Sequence, residues 1–282
     1  LKEPAAVALA AGRAGSSAGS SESARLMSLA SVRWVARTWL MCRGRQGVRR
    51  ATSGVTTEGC VASSRRARVW QATGREVLAY DRLGFGQSSP RSDAPSLQFI
   101  AHEAQQHFPA LVAALGLERY ALLGHSVGAV MALHIAAAHP AQCQAVLSLS
   151  AQAYVQPQTL EGIRAAQRFF ADPQQWARLQ KWHGPRLDWV FRAWTDVWLH
   201  PDFADWSLDP VLPQVPCPVL AIHGQHDEYG SPQFAQRIAA GVAHGQVLLL
   251  DCAHHPHRQQ VAQVLAAAQD FLHDLTVAGT PV

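Results

Sequence analysis

A serine with glycine two residues away on either side, Gly124-His125-Ser126-Val127-Gly128, is the pattern in this 282-residue chain best suited to chemistry. G-x-S-x-G puts a serine on a sharp, strained turn between a strand and a helix, with its hydroxyl exposed as a nucleophile. Side chains at the two glycine positions would collide with the adjacent backbone of such a turn. The competing role, a serine N-cap on a buried helix, requires no flanking glycine. A serine attacks only when a base takes its proton and a carboxylate steadies that base. Two downstream loops offer such partners: His223-Gly224-Gln225-His226-Asp227-Glu228 and Asp251-Cys252-Ala253-His254-His255-Pro256-His257. Within them Asp227 and Glu228 compete for the acid, and His254, His255 and His257 for the base. The histidine cluster also raises a metal site, but Cys252 is the one soft ligand beside it and no further converging set is visible, so no metal is expected.

These residues need elements to hold them. Residues 120–123 are a short apolar run of buried-strand type, and residues 127–138 are apolar for too long to be a strand, ending at His139-Pro140. Further strands are predicted over 145–150, 218–222 and 247–250, with a helix over 232–242. Asp227 and His254 then lie one strand-helix-strand unit apart, which opens both loops on the same edge of a parallel sheet. Ser126 ends another strand on that edge. Between the strand at 145–150 and the next at 218, helices are predicted over 159–170, 174–182 and 187–199.

With these segments in place, residues 74–275 resemble the α/β-hydrolase fold family, in its broad group of esterases, lactonases and C–C hydrolases. The run from Val77 to Ser88, containing Asp81-Arg82-Leu83-Gly84-Phe85-Gly86-Gln87-Ser88, is similar to the family's D-x-x-G-x-G-x-S loop. His254-His255-Pro256-His257 is similar to its G-H-x-P-H, with Ala253 in the place of glycine. Carried over position by position, the resemblance implies Ser126 as nucleophile, Asp227 as acid and His254 as base, with the N–H of Val127 as an oxyanion donor. It implies an α/β fold: a mostly parallel sheet flanked by helices, with core residues 71–150 and 213–282 and a helical cap over 151–212. No cofactor is implied. Serine at position 126, where dehalogenases and epoxide hydrolases of the family use aspartate, argues against those chemistries. Gly84-Phe85-Gly86 echoes a dinucleotide loop but lacks its third glycine, and is read as a tight turn shaping the pocket.

Residues 1–70 differ from the rest. They hold twelve basic and three acidic residues, a net +9, which leaves the remainder at −5. The segment is rich in Arg, Ser, Ala and Gly; its nearest approach to an amphipathic helix is residues 26–41. It is compatible with a transit peptide or a basic arm, but it lacks convincing strands and the His-Gly loop that would complete the family's oxyanion hole. The favoured expectation is a disordered or mistranslated stretch, the N-terminal strands of the fold being missing or replaced. An intact His-Gly strand in another reading frame of the encoding DNA would establish that; its absence would dismiss it. Five cysteines, Cys42, Cys60, Cys143, Cys217 and Cys252, show no C-x-x-C spacing. This argues against a disulfide framework or zinc site and fits a reducing, cytoplasmic setting. No apolar stretch approaches a membrane span, and neither membrane nor nucleic acid is an expected partner.

The expected partner is a small-molecule substrate. Six of the nine tryptophans lie in the cap: Trp176, Trp182, Trp189, Trp194, Trp198 and Trp206. Most should form the cap's own core, while Trp194 and Trp198, one turn apart on a helix face, are expected to line the pocket with His125 and His255. The substrate is then small and apolar or aromatic. Three function classes follow: hydrolysis of esters or lactones, C–C cleavage of diketo acids from aromatic breakdown, or a catalytically impaired binding module lacking its second oxyanion donor.

Overall fold

A computed structural model of the chain describes residues 37–42, 69, 71–86 and 88–277. Six strands form one sheet in the order β2-β1-β3-β4-β5-β6: β1 (Arg37–Cys42), β2 (Glu76–Asp81), β3 (Tyr120–His125), β4 (Cys143–Leu149), β5 (Val219–Gly224) and β6 (Gly245–Leu250). Strands β3 to β6 pair in parallel, and β1 runs antiparallel to both β2 and β3. The principal helices are α1 (Phe108–Leu115), α2 (Val127–Ala138), α3 (Pro157–Phe170), α4 (Pro173–His183), α5 (Leu187–Trp198), α6 (Gln233–Gly241) and α7 (Val261–Val277).

The central strands are buried on both faces, which is why they read as unbroken apolar runs rather than as alternations. Successive side chains still point to opposite faces. Tyr120, Leu122, Val146, Val219 and Ala221 pack in the larger core with α1, α2, α6 and the cap helices. Ala121, Leu123, Leu147, Leu220 and Ile222 pack on the other face against Val264, Ala268, Phe271 and Leu272 of α7. Helix α2 is apolar all round because it is enclosed all round, with nine of its twelve residues buried.

The N-terminal segment corrects one expectation. Residues 37–42 form β1, a paired central strand, where no strand was expected and a helical tendency over 26–41 was noted. Trp39-Leu40-Met41 is a short apolar run that a slot between two strands can accept. The backbone hydrogen bonds left open by β2 and β3 are closed by that pairing. The rest of the 1–70 segment, apart from Val69 at its border, lies outside the described residues, as does Cys60. β1 enters at the Asp81 end of β2 and leaves at the Glu76 end. β1 therefore ends at the edge opposite Ser126.

Between β4 and β5 lie α3, α4 and α5. Asp172 caps α4, its carboxylate accepting from the N–H groups of Gln174 (2.7 Å) and Gln175 (3.2 Å). The cap is tied to the loop after β2. The Trp189 indole donates to the Asp93 carbonyl (2.8 Å), and Arg186 donates to the carbonyls of Gly86 and Ser88. A Cβ on Gly84 would meet the Trp189 ring at 2.6 Å. The glycine turn thus seats the cap.

Candidate active site

β3 hands the chain to α2 through Ser126, whose φ of 54° and ψ of −129° lie outside the regions an L-residue prefers. Hydrogen bonds hold it there. The Ser126 N–H donates to the Leu149 carbonyl (2.8 Å), and its own carbonyl accepts from the N–H of Ala129 (2.9 Å) and Val130 (3.2 Å). The turn is closed so tightly that a Cβ on Gly124 would lie 2.5 Å from the Ala129 Cα and nearer still to the Gly128 carbonyl. The two glycines of the motif therefore face each other across the turn. Val127 opens α2, so its N–H is among the first four that have no partner within the helix.

The two partner loops meet at the ends of β5 and β6. A Cβ on Gly224 would collide with the carbonyl oxygens of Cys252 and Ala253, so only glycine allows this approach. Across the contact, the His254 Nδ1–H donates to the Asp227 carboxylate, 2.8 Å to Oδ2 and 2.9 Å to Oδ1. The same carboxylate accepts from the Tyr229 N–H (2.8 Å) and faces His223 Nε2 at 3.3 Å. Burial pushes the His254 ring toward its neutral form, but the Asp227 charge and hydrogen bond, with the Glu228 charge, outweigh it. They hold His254 above the usual histidine value. Glu228 does not touch that ring; its carboxylate accepts from the His254 backbone N–H (3.2 Å), and burial pushes its own carboxyl up.

His125 is buried beside the His254 loop, its Nε2–H donating to the His254 carbonyl at 2.7 Å. Burial, with the His257 and His254 rings nearby, keeps His125 well below the ordinary value, and burial with His125 does the same for His255. One nitrogen from each of His125, His254 and His255 lies within 4.8 Å of the others. Tetrahedral zinc would need such atoms at about 3.4 Å, so these rings would have to move inward, and His254 Nδ1 is already engaged by Asp227.

Ser126, Val127, Gln152, Thr159, Ile163, Trp194, Trp198, Tyr229 and His254 line one pocket. It is narrow: the centre of a water molecule can move through only about 30 Å³ of it. Ser126 and His254 share this wall, and among the described residues the Ser126 hydroxyl makes no hydrogen bond. Of the expected lining residues, Trp194 and Trp198 are on the wall. The rings of His125 and His255 are buried and pack edge-to-face on each other beside that wall. The other cap tryptophans serve structure. Trp176 packs on Phe191 and Trp206 on Phe203, and Trp182 is exposed.

Gln152, Thr159, Ile163 and Tyr229 were not found from sequence. Tyr229 follows Asp227 by two residues and Gln152 follows β4 by three, the same strand-end signal that located the other residues. Thr159 and Ile163 are one turn apart on α3. The Thr159 hydroxyl donates to the Tyr229 carbonyl (2.6 Å), and the Gln158 amide donates to the Asp227 carbonyl (2.7 Å). Helix α3 thereby braces the Asp227 loop.

Residues 64–258 match the alpha/beta hydrolase fold family. The chain is 28% identical over 210 residues to the serine hydrolase BPHL of Homo sapiens, covering 70% of this chain and 69% of that protein. It is also similar to the solved enol-lactonase from Burkholderia xenovorans LB400, at 16% identity and a TM-score of 0.58, over 84% of this chain and 96% of that one. A variant of the meta-cleavage product hydrolase CumD superposes with a TM-score of 0.60 at 16% identity, over 84% and 94% of the two chains. At such identities the likeness to the two structures is one of fold.

Proposed function

Because the chain belongs to the alpha/beta hydrolase fold family through residues 64–258, we propose that it is a serine hydrolase of small apolar or aromatic esters or lactones. The observation that carries this reading is a strained serine sharing a buried, tryptophan-lined pocket with a histidine whose far nitrogen is held by Asp227. The Nδ1–H to Asp227 bond leaves His254 Nε2 with its lone pair, the form a general base requires. Ser126 Oγ attacks the substrate carbonyl as its proton passes to His254, and Asp227 stabilises the imidazolium. The proton then goes to the leaving alcohol, and water, activated by the same histidine, releases the acid and restores the serine hydroxyl. The Val127 N–H is the donor assigned to the developing oxyanion.

No helix of the described residues is long and apolar enough to cross a membrane. The test is covalent labelling by a fluorophosphonate together with turnover of p-nitrophenyl esters, an aryl lactone and a diketo acid. Labelling of Ser126 that disappears in Ser126→Ala, with ester or lactone turnover, supports the reading. Labelling that persists in Ser126→Ala refutes the nucleophile, and turnover of the diketo acid alone refutes the ester assignment in favour of C–C cleavage.

A further inference from the structure

We propose that Gln152 is the specificity-determining residue of this pocket, and that the preferred substrate carries a neutral hydrogen-bonding group, a hydroxyl or an amide, on its acyl part. This inference rests on the serine-hydrolase reading above and adds to it what the acyl group must contain. Gln152 lies on the pocket wall with Ser126 and His254 yet is only 5% exposed. Its Oε1 is buried and has no hydrogen-bond partner. Buried polar groups are paired in the great majority of cases, and an exception inside a ligand pocket points to the ligand as the missing partner.

The backbone around Gln152 is tied down on both sides. Ser150 takes a left-handed conformation, φ 48°, and its N–H donates to the Ile222 carbonyl (2.8 Å). Ala151 and Ala153 are buried on either side, and the Ala153 carbonyl accepts from the Leu208 N–H (2.7 Å). An isolated bridge between Tyr154 and Ser207 pins the next residue. The Gln152 backbone is therefore held in place at the pocket wall, which its side chain helps to line.

The remaining wall explains why this amide decides. Val127, Ile163, Trp194 and Trp198 offer mainly apolar surface, and the Thr159 hydroxyl already donates its proton to the Tyr229 carbonyl. Among the described residues, Gln152 supplies the one carboxamide on the wall. An uncharged amide has both a donor and an acceptor, which suits a hydroxyl or amide group better than an ammonium or carboxylate. A site built around such a group discriminates against the analogue lacking it, because the buried amide is then left unpaired.

The experiment uses the full chain and matched pairs of p-nitrophenyl esters differing by one hydroxyl: butyrate against 3-hydroxybutyrate, and phenylacetate against its ring-hydroxylated counterparts. The readout is the ratio of kcat/KM within each pair, or of p-nitrophenol burst rates where turnover is slow. The unaltered protein is expected to favour one hydroxylated ester by about 10–100-fold, the effect of stranding one buried neutral polar group. Gln152→Leu should bring that pair to within about twofold, and Gln152→Glu should restore part of the preference. A ratio near one for every pair in the unaltered protein overturns the inference, as does a Gln152→Leu variant that slows both members of a pair equally. Thermal melts of each variant identify loss of folding; should Gln152→Leu not fold, Gln152→Met supplies the same comparison. Ser126 labelling separates the two levels of failure. A labelled protein without hydroxyl preference defeats this inference alone, whereas an unlabelled, inactive protein defeats the serine-hydrolase reading and this inference with it.

Discussion

Gly124→Ala should separate damage to the reaction from damage to the fold. The added methyl would sit 2.5 Å from the Ala129 Cα and closer to the Gly128 carbonyl, both backbone atoms of the first turn of α2. Real Cβ contacts essentially never fall below 3.0 Å, so the turn and the helix must part by at least about 0.5 Å. Neither neighbour is a side chain that can rotate away. α2 is enclosed in the core, so the strand-helix junction that carries Ser126 has to yield. Overpacking of this kind costs about 1–3 kcal/mol. Displacing a reacting atom by about 1 Å costs on the order of 10² in rate, so a loss of roughly 10–10² in kcat/KM is expected. The control is Gly116→Ala. Gly116 sits at φ +64° with nothing within 4 Å of its absent Cβ, so alanine there costs about 1 kcal/mol of backbone strain alone. Both variants would be followed by thermal denaturation and by the second-order rate of fluorophosphonate labelling at a temperature where both are folded. Labelling in Gly124→Ala as fast as in Gly116→Ala would refute the argument that the glycine holds Ser126 in position.

Three further outcomes follow from the buried groups. Asp227→Asn should lower kcat/KM by about 10³–10⁴, and its residual activity should rise at lower pH than in the unaltered protein. Asp227 raises His254, and activity needs the neutral ring, so an unmoved pH limb would contradict the assigned pairing. His134 is lowered to about 4 by burial, so the folded chain refuses a proton that the unfolded chain accepts below about pH 6.5. Its contribution is therefore present above that pH and is lost as pH falls toward 4. The unfolding free energy from urea titrations should fall between pH 7 and 5 by an amount that His134→Gln reduces by about 1–2 kcal/mol. Cys143, Cys217 and Cys252 are buried, and burial pushes the Cys252 thiol up to about 11. These three should resist a maleimide until urea unfolds the chain, as peptide mapping would read; rapid native labelling of any one would contradict its burial.

The strained turn that carries Ser126 was legible because everything that defines it is local. A strand, two glycines, a serine and an apolar helix occupy nineteen consecutive residues, 122–140 with the strand's start just before them, and each element is dictated by its own neighbours. The cap helices were legible for the same reason, since prolines at 157 and 173 mark the starts of two of them. The candidates for its acid and base partners were narrowed to two loops by the rule that parallel strands end on one edge. The family resemblance picks Asp227 and His254 within those loops, and the tertiary structure adds the physical reason they pair: Gly224 brings the loops together, so that His254 and not His255 faces Asp227. The same holds wherever distant segments meet. Cys143 and Cys217 look scattered in sequence, yet β4 and β5 bring their sulfurs to 3.8 Å. Trp194 and Trp198 face the pocket while Trp176 and Trp206 pack within the cap, a partition set by how the cap docks and not by spacing alone. β1 fills a slot that β2 and β3 leave between them, in a direction that no pattern in its six residues records. Gln152 carries no signal beyond its place after a strand. Its carbonyl oxygen is unpartnered only because the assembled fold buries it, and burial of that kind is a property of the tertiary structure.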